Sequence, residues 1–130
     1  MVTIPDSHKD LLNAPVVTLA TQASSGHPQV TAVWFLNDED GVVRISLNTA
    51  RQKVKNLQKN GKCTLFFMDP TSPYRTLEVR GDAEVTPDDD YTFATKLGQK
   101  YGGANLKERD KPGETRVVIS VKPTKVNVWG

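Results

Sequence analysis

Ile45-Ser46-Leu47-Asn48-Thr49-Ala50-Arg51-Gln52-Lys53-Val54-Lys55-Asn56-Leu57 is the stretch on which the reading of the fold turns. In and just before it, Val43, Ile45 and Leu47 alternate with Arg44 and Ser46, the period of a strand with one buried face. Farther on, Val54 and Leu57 stand three apart among charged and amide residues, which predicts a short amphipathic helix over 50–60 closed by Asn60-Gly61. The helix opens on two cations, Arg51 and Lys53. Positive side chains at a helix N terminus oppose the macrodipole, which favours negative charge there. They become favourable when an anion such as a phosphate is held between them and the free first-turn N–H groups. A plainer reading stands beside this one: Thr49-x-x-Gln52 matches a capping box, and surface helices are often rich in lysine.

Outward from this junction, β signals dominate. Strands are predicted over 15–21 and 29–36, joined by the Ser24-Ser25-Gly26 turn, and over 42–47 after the Asp40-Gly41 hairpin signal. A largely apolar strand over 63–68 leads into Asp69-Pro70-Thr71-Ser72-Pro73, a loop whose prolines are unsuited to a central strand. The longest strand carries Leu77, Val79, Ala83 and Val85, with Gly81 marking a bulge or a close backbone approach. A helix is predicted from Thr86-Pro87-Asp88-Asp89-Asp90 to Tyr101, and a first short one capped by Asp6 or Ser7 carries Leu11 and Leu12. The polar loop through Lys111-Pro112-Gly113 precedes a strand over 117–121, which Pro123 separates from a last segment over 126–129. Strands contiguous in sequence, joined mostly by tight turns and interrupted by about three short helices, predict a mainly β, α+β antiparallel barrel and not a parallel βαβ sheet. No GxGxxG or P-loop stands against that.

At 130 residues the chain is read as one domain, 1–130. The single Cys63 excludes an intrachain disulfide framework, and its apolar setting predicts a buried thiol in a reducing, cytoplasmic compartment. Neither the first twelve residues nor any later run reads as a leader or membrane span, and a formal charge of +2 gives no general nucleic-acid or membrane footprint. His8 and His27 are isolated and read as surface residues without metal-ligand spacing. Trp34, Phe66, Phe67 and Phe93 read as core or subunit contacts, and Trp129 as packing over a subunit boundary. No nucleophile–base constellation is visible, so no catalytic side chain is named.

The pattern Arg51-x-Lys53-x-x-Asn56-Leu57 after the Ser46 strand resembles the phosphate-binding signature of the pyridoxamine 5'-phosphate oxidase-like split β-barrel superfamily. The stretches Gly26-His27-Pro28-Gln29-Val30-Thr31-Ala32-Val33-Trp34-Phe35, Glu78-Val79-Arg80-Gly81-Asp82-Ala83-Glu84-Val85 and Val126-Asn127-Val128-Trp129-Gly130 agree in the right order. Within the superfamily the chain is most similar to the actinobacterial flavin/deazaflavin oxidoreductase B group, which uses coenzyme F-420. The resemblance implies an FMN-binding-protein-like split barrel and a homodimer with the cofactor at its interface. It implies hydride transfer from reduced F-420 to an unsaturated small-molecule acceptor. It assigns Arg51 and Lys53 to the phosphate with Thr49 beside them, and Ser46, Leu47 and Asn48 to the strand end under the cofactor. Gln29, Thr31 and Val33 become the strand face against the ring, and Tyr74 an aromatic lent by the neighbouring subunit. The alternatives it leaves are an FMN-dependent oxidase or reductase, and a protein that binds flavin, F-420 or haem without turnover. Pyridoxamine phosphate oxidation itself is disfavoured, because a substrate-holding basic extension is expected beyond Trp129 in those oxidases. Lys55, Lys59 and Lys62 lean toward F-420, whose polyglutamate tail is acidic.

Overall fold

A computed structural model describes residues 2–130. Its seven strands are β1 (Val17–Gln22), β2 (Pro28–Val33), β3 (Leu36–Asn37), β4 (Val43–Asn48), β5 (Lys62–Asp69), β6 (Ser72–Pro87) and β7 (Arg116–Trp129). They form one antiparallel sheet in the order β2-β1-β5-β6-β7-β4-β3, curled into a split β-barrel. Two α-helices, α1 (Gln52–Lys59) and α2 (Thr92–Lys100), and two 3-10 helices, Asp6–Asn13 and Leu106–Arg109, complete it.

Alternation decides what the sheet buries. Val17 and Leu19 of β1, Leu65 and Phe67 of β5, and Leu77 and Val79 of β6 point inward with Ile45 of β4 and Ile119 of β7. Phe35 meets Phe67 edge to face, with ring centroids 5.3 Å apart, and α1 closes the end of this core with Val54 and Leu57. A second, smaller core lies on the other side of the sheet. There α2 lays Phe93, Ala94 and Leu97 with Leu106 against Val118. The end of β4 is therefore buried on both faces, Ser46 and Asn48 included, and the seam between the two cores is where the chemistry gathers.

Several boundaries differ from the sequence expectation, each for a local reason. Pro123 does not break β7. It stands opposite Gly81, the register slips between Arg80 and Gly81, and the strand runs on. A Cβ at Gly81 would lie 2.5 Å from the Lys122 carbonyl oxygen, so the glycine answers to close backbone approach as well as to the bulge. Pro73 lies within β6, in the irregular step where Asp69 pairs with Ser72 and Met68 with Thr76, so it occupies no ladder position. Helix α2 starts at Thr92 and not at 86–90, because Asp88 accepts hydrogen bonds from the N–H groups of Phe93 (3.1 Å) and Ala94 (2.9 Å) across a turn in which Tyr91 takes φ 57°. The first helix is 3-10, follows Pro5 and has no side-chain cap from Asp6 or Ser7. His8 is buried and not on the surface, bonded to Ser7 Oγ (2.8 Å) and the Trp129 carbonyl (3.0 Å).

Cys63 behaves as expected of a core thiol. Burial, with a smaller contribution from Asp82, pushes its pKa up to about 11. At pH 8 the native protein should therefore resist a disulfide-exchange thiol reagent that labels it fully once guanidinium unfolds the chain. Rapid labelling of the folded protein would contradict this placement.

Candidate functional site

The strand–helix junction leaves two cations at an uncapped helix end. Arg51 is the N-cap of α1, no side chain caps the helix, and no acidic residue lies in its first turn. The capping-box alternative is not realised. Thr49 Oγ1 is 2.9 Å from Thr115 Oγ1, and Gln52 Nε2 donates to Asn56 Oδ1 at 2.9 Å. The first-turn N–H groups are thus left without a side-chain acceptor, with Arg51 and Lys53 beside them.

Beside this helix end is a cavity of about 260 Å3. Its cationic side is formed by Arg51, Lys53, Arg109 and Arg116, its floor by Ser46, Leu47 and Asn48. Val33, Trp34, Leu97 and Leu106 form its apolar lining, with Ala32 beside them. Strand alternation aims Gln29, Thr31 and Val33 to one face, and α1 binds that face. Lys53 Nζ donates to Thr31 Oγ1 (3.1 Å), and Asn56 Nδ2 donates to Gln29 Oε1 (3.2 Å) and Thr21 Oγ1 (3.0 Å). Six of the sequence-predicted positions therefore line one cavity: Val33, Ser46, Leu47, Asn48, Arg51 and Lys53. Thr31 and Gln29 stand behind them as supports of α1. Thr49 is turned to Thr115 and does not line the cavity. Tyr74 is outside it as well, 82% exposed at the start of β6.

Electrostatics set the character of the pocket. Among the described residues, Arg51, Lys53 and Arg109 form no salt bridge. Burial first, and the charge of Arg51 second, push the Lys53 amine below its usual range. Both causes penalise a cation that lacks a counter-ion, and a bound anion would relieve them. Arg116 alone is paired. Its Nε donates to Asp110 (2.9 and 3.1 Å) and its Nη1 to Ser46 Oγ (3.2 Å). Asn48 Nδ2 and the Tyr91 hydroxyl also donate to Asp110, each at 2.9 Å, so Asp110 holds the strand end, Arg116 and the second core in one network.

Sequence reasoning missed Trp34, Arg109 and Arg116 as site residues. Trp34, read as a core or subunit contact, is sandwiched. Tyr101 stacks on it at 4.1 Å between ring centroids, and the Arg109 guanidinium lies 4.5 Å from its ring centroid. Tyr101 serves the scaffold, its hydroxyl accepting from Phe35 N (3.1 Å) and donating to the Pro15 carbonyl (2.8 Å). Arg116 had one available signal, a charged residue directly before the apolar run Val117-Val118-Ile119. Arg109 had none, because only the fold brings it to Trp34. Lys62, assigned on charge to the cofactor side, instead lines a separate groove with Arg80 and Asp82. No group of three or more metal-ligating side chains and no helix able to cross a membrane occurs among the described residues.

The pyridoxamine 5'-phosphate oxidase family model matches residues 4–130. A solved structure described as an F420 reductase is 38% identical, with a TM-score of 0.81 over 95% of this chain and 98% of that one. A conserved hypothetical protein of Mycobacterium tuberculosis is similar at 19% identity and TM-score 0.78, covering 98% of this chain and 86% of that one. HutZ of Vibrio cholerae, described as a heme storage protein, shares the fold at 16% identity and TM-score 0.75, covering 99% and 96%. No curated protein matches the chain.

Proposed function

Because this chain belongs to the pyridoxamine 5'-phosphate oxidase family, we propose that its cavity holds a phosphate-bearing deazaflavin, coenzyme F-420, and that the protein is an oxidoreductase passing a hydride from the reduced cofactor to an unsaturated organic acceptor. The observation that carries this reading is the set of unpaired cations, Arg51 and Lys53, at an uncapped helix end that opens on an apolar wall. That combination suits a ligand with an anionic end and a planar apolar end. The similarity to the F420 reductase favours a deazaflavin over FMN. The cavity lining has no histidine, cysteine or methionine, so a haem would find no axial ligand of the usual kinds there.

When bound, the deazaflavin supplies the hydride chemistry itself. The chain's task is to bind and orient. Arg51, Lys53 and the first-turn N–H groups of α1 hold the phosphate, Ser46, Leu47 and Asn48 run beneath the cofactor, and Val33 meets its ring. Gln29 and Thr31 hold Asn56 and Lys53, and so fix the helix that carries the phosphate site. The outer face of the sheet supports a homodimer. Phe66 (40% exposed), Met68 (51%) and Trp129 (72%) lie exposed on β5 and β7, and Thr76 of β6 pairs with both Met68 and Trp129. Tyr74, 82% exposed at the start of β6, is free to reach a neighbouring copy, which is the role the family resemblance implies for it.

Titration of the apoprotein with F-420 and with FMN, followed by tryptophan quenching, tests the reading. F-420 is expected to bind more tightly, and Arg51→Ala or Lys53→Ala to weaken it by about 1–3 kcal/mol, the worth of a charge-assisted hydrogen bond. Unchanged affinity in a folded variant would remove the phosphate assignment, and preference for FMN would move the protein to the FMN-dependent branch.

A further inference from the structure

Trp34 and Phe35 make the step from β2 to β3, and neither belongs to a strand. Phe35 is fully buried, so its N–H and C=O need partners that no ladder supplies. Two consecutive side chains at the end of α2 supply them. The Tyr101 hydroxyl accepts from Phe35 N (3.1 Å), and Lys100 Nζ donates to the Phe35 carbonyl (2.9 Å) while lying 3.6 Å from the centre of the Phe35 ring. The same two side chains reach the segment that leads into β1. Lys100 Nζ donates to the Ala14 carbonyl (2.9 Å), and the Tyr101 hydroxyl to the Pro15 carbonyl (2.8 Å). Lys100 forms no salt bridge among the described residues, so its head group serves backbone carbonyls and an aromatic face. The Tyr101 ring meanwhile stacks on Trp34 with the two planes 5° apart. One latch thus fixes the Phe35 backbone and the Trp34 indole. Trp34 lines the cavity, whereas Lys100 and Tyr101 do not.

We propose that Lys100 and Tyr101 are positioning residues for the apolar lining of the cavity: through the Phe35 backbone and the Trp34 indole they hold the end of β2 in place, and so set how firmly the planar part of a ligand is gripped. The inference rests on the F-420 reading above in naming that planar part as the deazaflavin ring. Edge strand β2 is then pinned from two sides. Helix α1 holds its earlier residues, Gln29 to Asn56 and Thr31 to Lys53, and α2 holds the residues that follow it. Val33 lies between the two attachments and lines the cavity with Trp34. Releasing the latch frees Val33 and Trp34, while the bonds at Gln29 and Thr31 keep α1 and its cations where they are.

The test starts from Trp129→Phe, which leaves Trp34 as the single tryptophan, and adds Tyr101→Phe or Lys100→Met to it. Tyr101→Phe keeps a ring for the stack and removes the hydroxyl. Urea unfolding checks that each variant folds, and if one does not, the other carries the comparison. Acrylamide quenching of Trp34 should rise in the variants toward that of the urea-unfolded chain. Equilibrium dialysis then follows F-420 and its deazaflavin chromophore lacking the phosphate. Each variant should weaken both ligands by the same factor, about fivefold, the worth of one lost hydrogen bond. Lys53→Ala should weaken F-420 alone. Unchanged quenching of Trp34 in folded variants would overturn the proposal. So would a loss confined to F-420, which would place the effect at the phosphate, or an unchanged chromophore affinity, which would leave the latch a purely structural part. A wild-type chain that binds neither ligand would remove the F-420 reading, and the quenching comparison alone would then decide whether the latch places Trp34.

Discussion

Asp110→Ala is expected to destabilise the protein by about 3–5 kcal/mol, the cost of stranding a buried charge. The Arg116 side chain is 9% exposed and that of Asp110 3%, so the guanidinium would be left in the seam between the two cores without its counter-ion. The Tyr91 hydroxyl would lose its acceptor as well, while Asn48 Nδ2 would keep only Glu114. Equilibrium unfolding in urea measures the loss, and a change below about 1 kcal/mol would show that Arg116 finds water or another partner. Burial alone would raise the Asp110 carboxyl, but the bonds from Arg116, Asn48 and Tyr91 outweigh it and hold it below its usual 3.8. The sign follows. The folded state keeps this group ionised where the unfolded chain binds a proton, so the stabilisation is complete above 3.8 and is lost as pH falls through the lowered value. The gap between wild type and Asp110→Ala should accordingly narrow in acid. Asp110→Asn, which keeps an acceptor, should fall between the two.

Gly98→Ala should be the second most damaging change, although alanine for glycine within an exposed helix ordinarily gains about 1 kcal/mol. Gly98 lies in the last turn of α2, and its carbonyl accepts from Tyr101 N (3.0 Å), Gly103 N (2.9 Å) and Ala104 N (3.2 Å). That folds the chain back so tightly that a Cβ would stand 2.1 Å from the Ala104 carbonyl oxygen. The neighbour is backbone and cannot rotate away, so the 101–105 connection must shift at a cost of about 1–3 kcal/mol. The shift carries Leu106 and Arg109 with it, which ties a stability defect to a binding defect. Thermal unfolding should fall by several degrees and cofactor affinity should drop, while Gln99→Ala, one residue on and exposed, leaves both nearly unchanged. A stable Gly98→Ala protein with normal affinity would mean that this connection does not position the site.

The half of the site that lies within thirteen consecutive residues was legible in the sequence, because the change of period at Asn48–Gln52 and the two cations are local signals. The capping-box alternative was equally local, and only the diversion of Thr49 to Thr115 decides against it. The other half depends on where residues 106–116 return to, and nothing near Arg109 or Asp110 in sequence announces Trp34 or Asn48. Proline misled in both long strands for one reason. Propensity counts the missing N–H, whereas Pro73 and Pro123 sit beside irregular register steps. His8 misled in the opposite sense. A lone histidine among charged residues reads as solvated, yet it is covered where the first 3-10 helix meets the end of β7.

The two walls of the cavity are held very differently. The β4 end is buried on both faces and tied by Arg116 and Asp110, whereas β2 is the edge of the sheet and has a ladder on one side only, to β1. A substitution on the first wall disturbs two cores at once, whereas the second has an open margin but is tied to α1, Thr31 to Lys53 and Gln29 to Asn56. The edge strand and the helix are therefore coupled, and a shift of β2 would be passed to the cations at the start of α1. Exchanges at Ala32, which alternation turns away from Gln29 and Thr31, would leave that linkage intact, while exchanges on the Thr31 face would not.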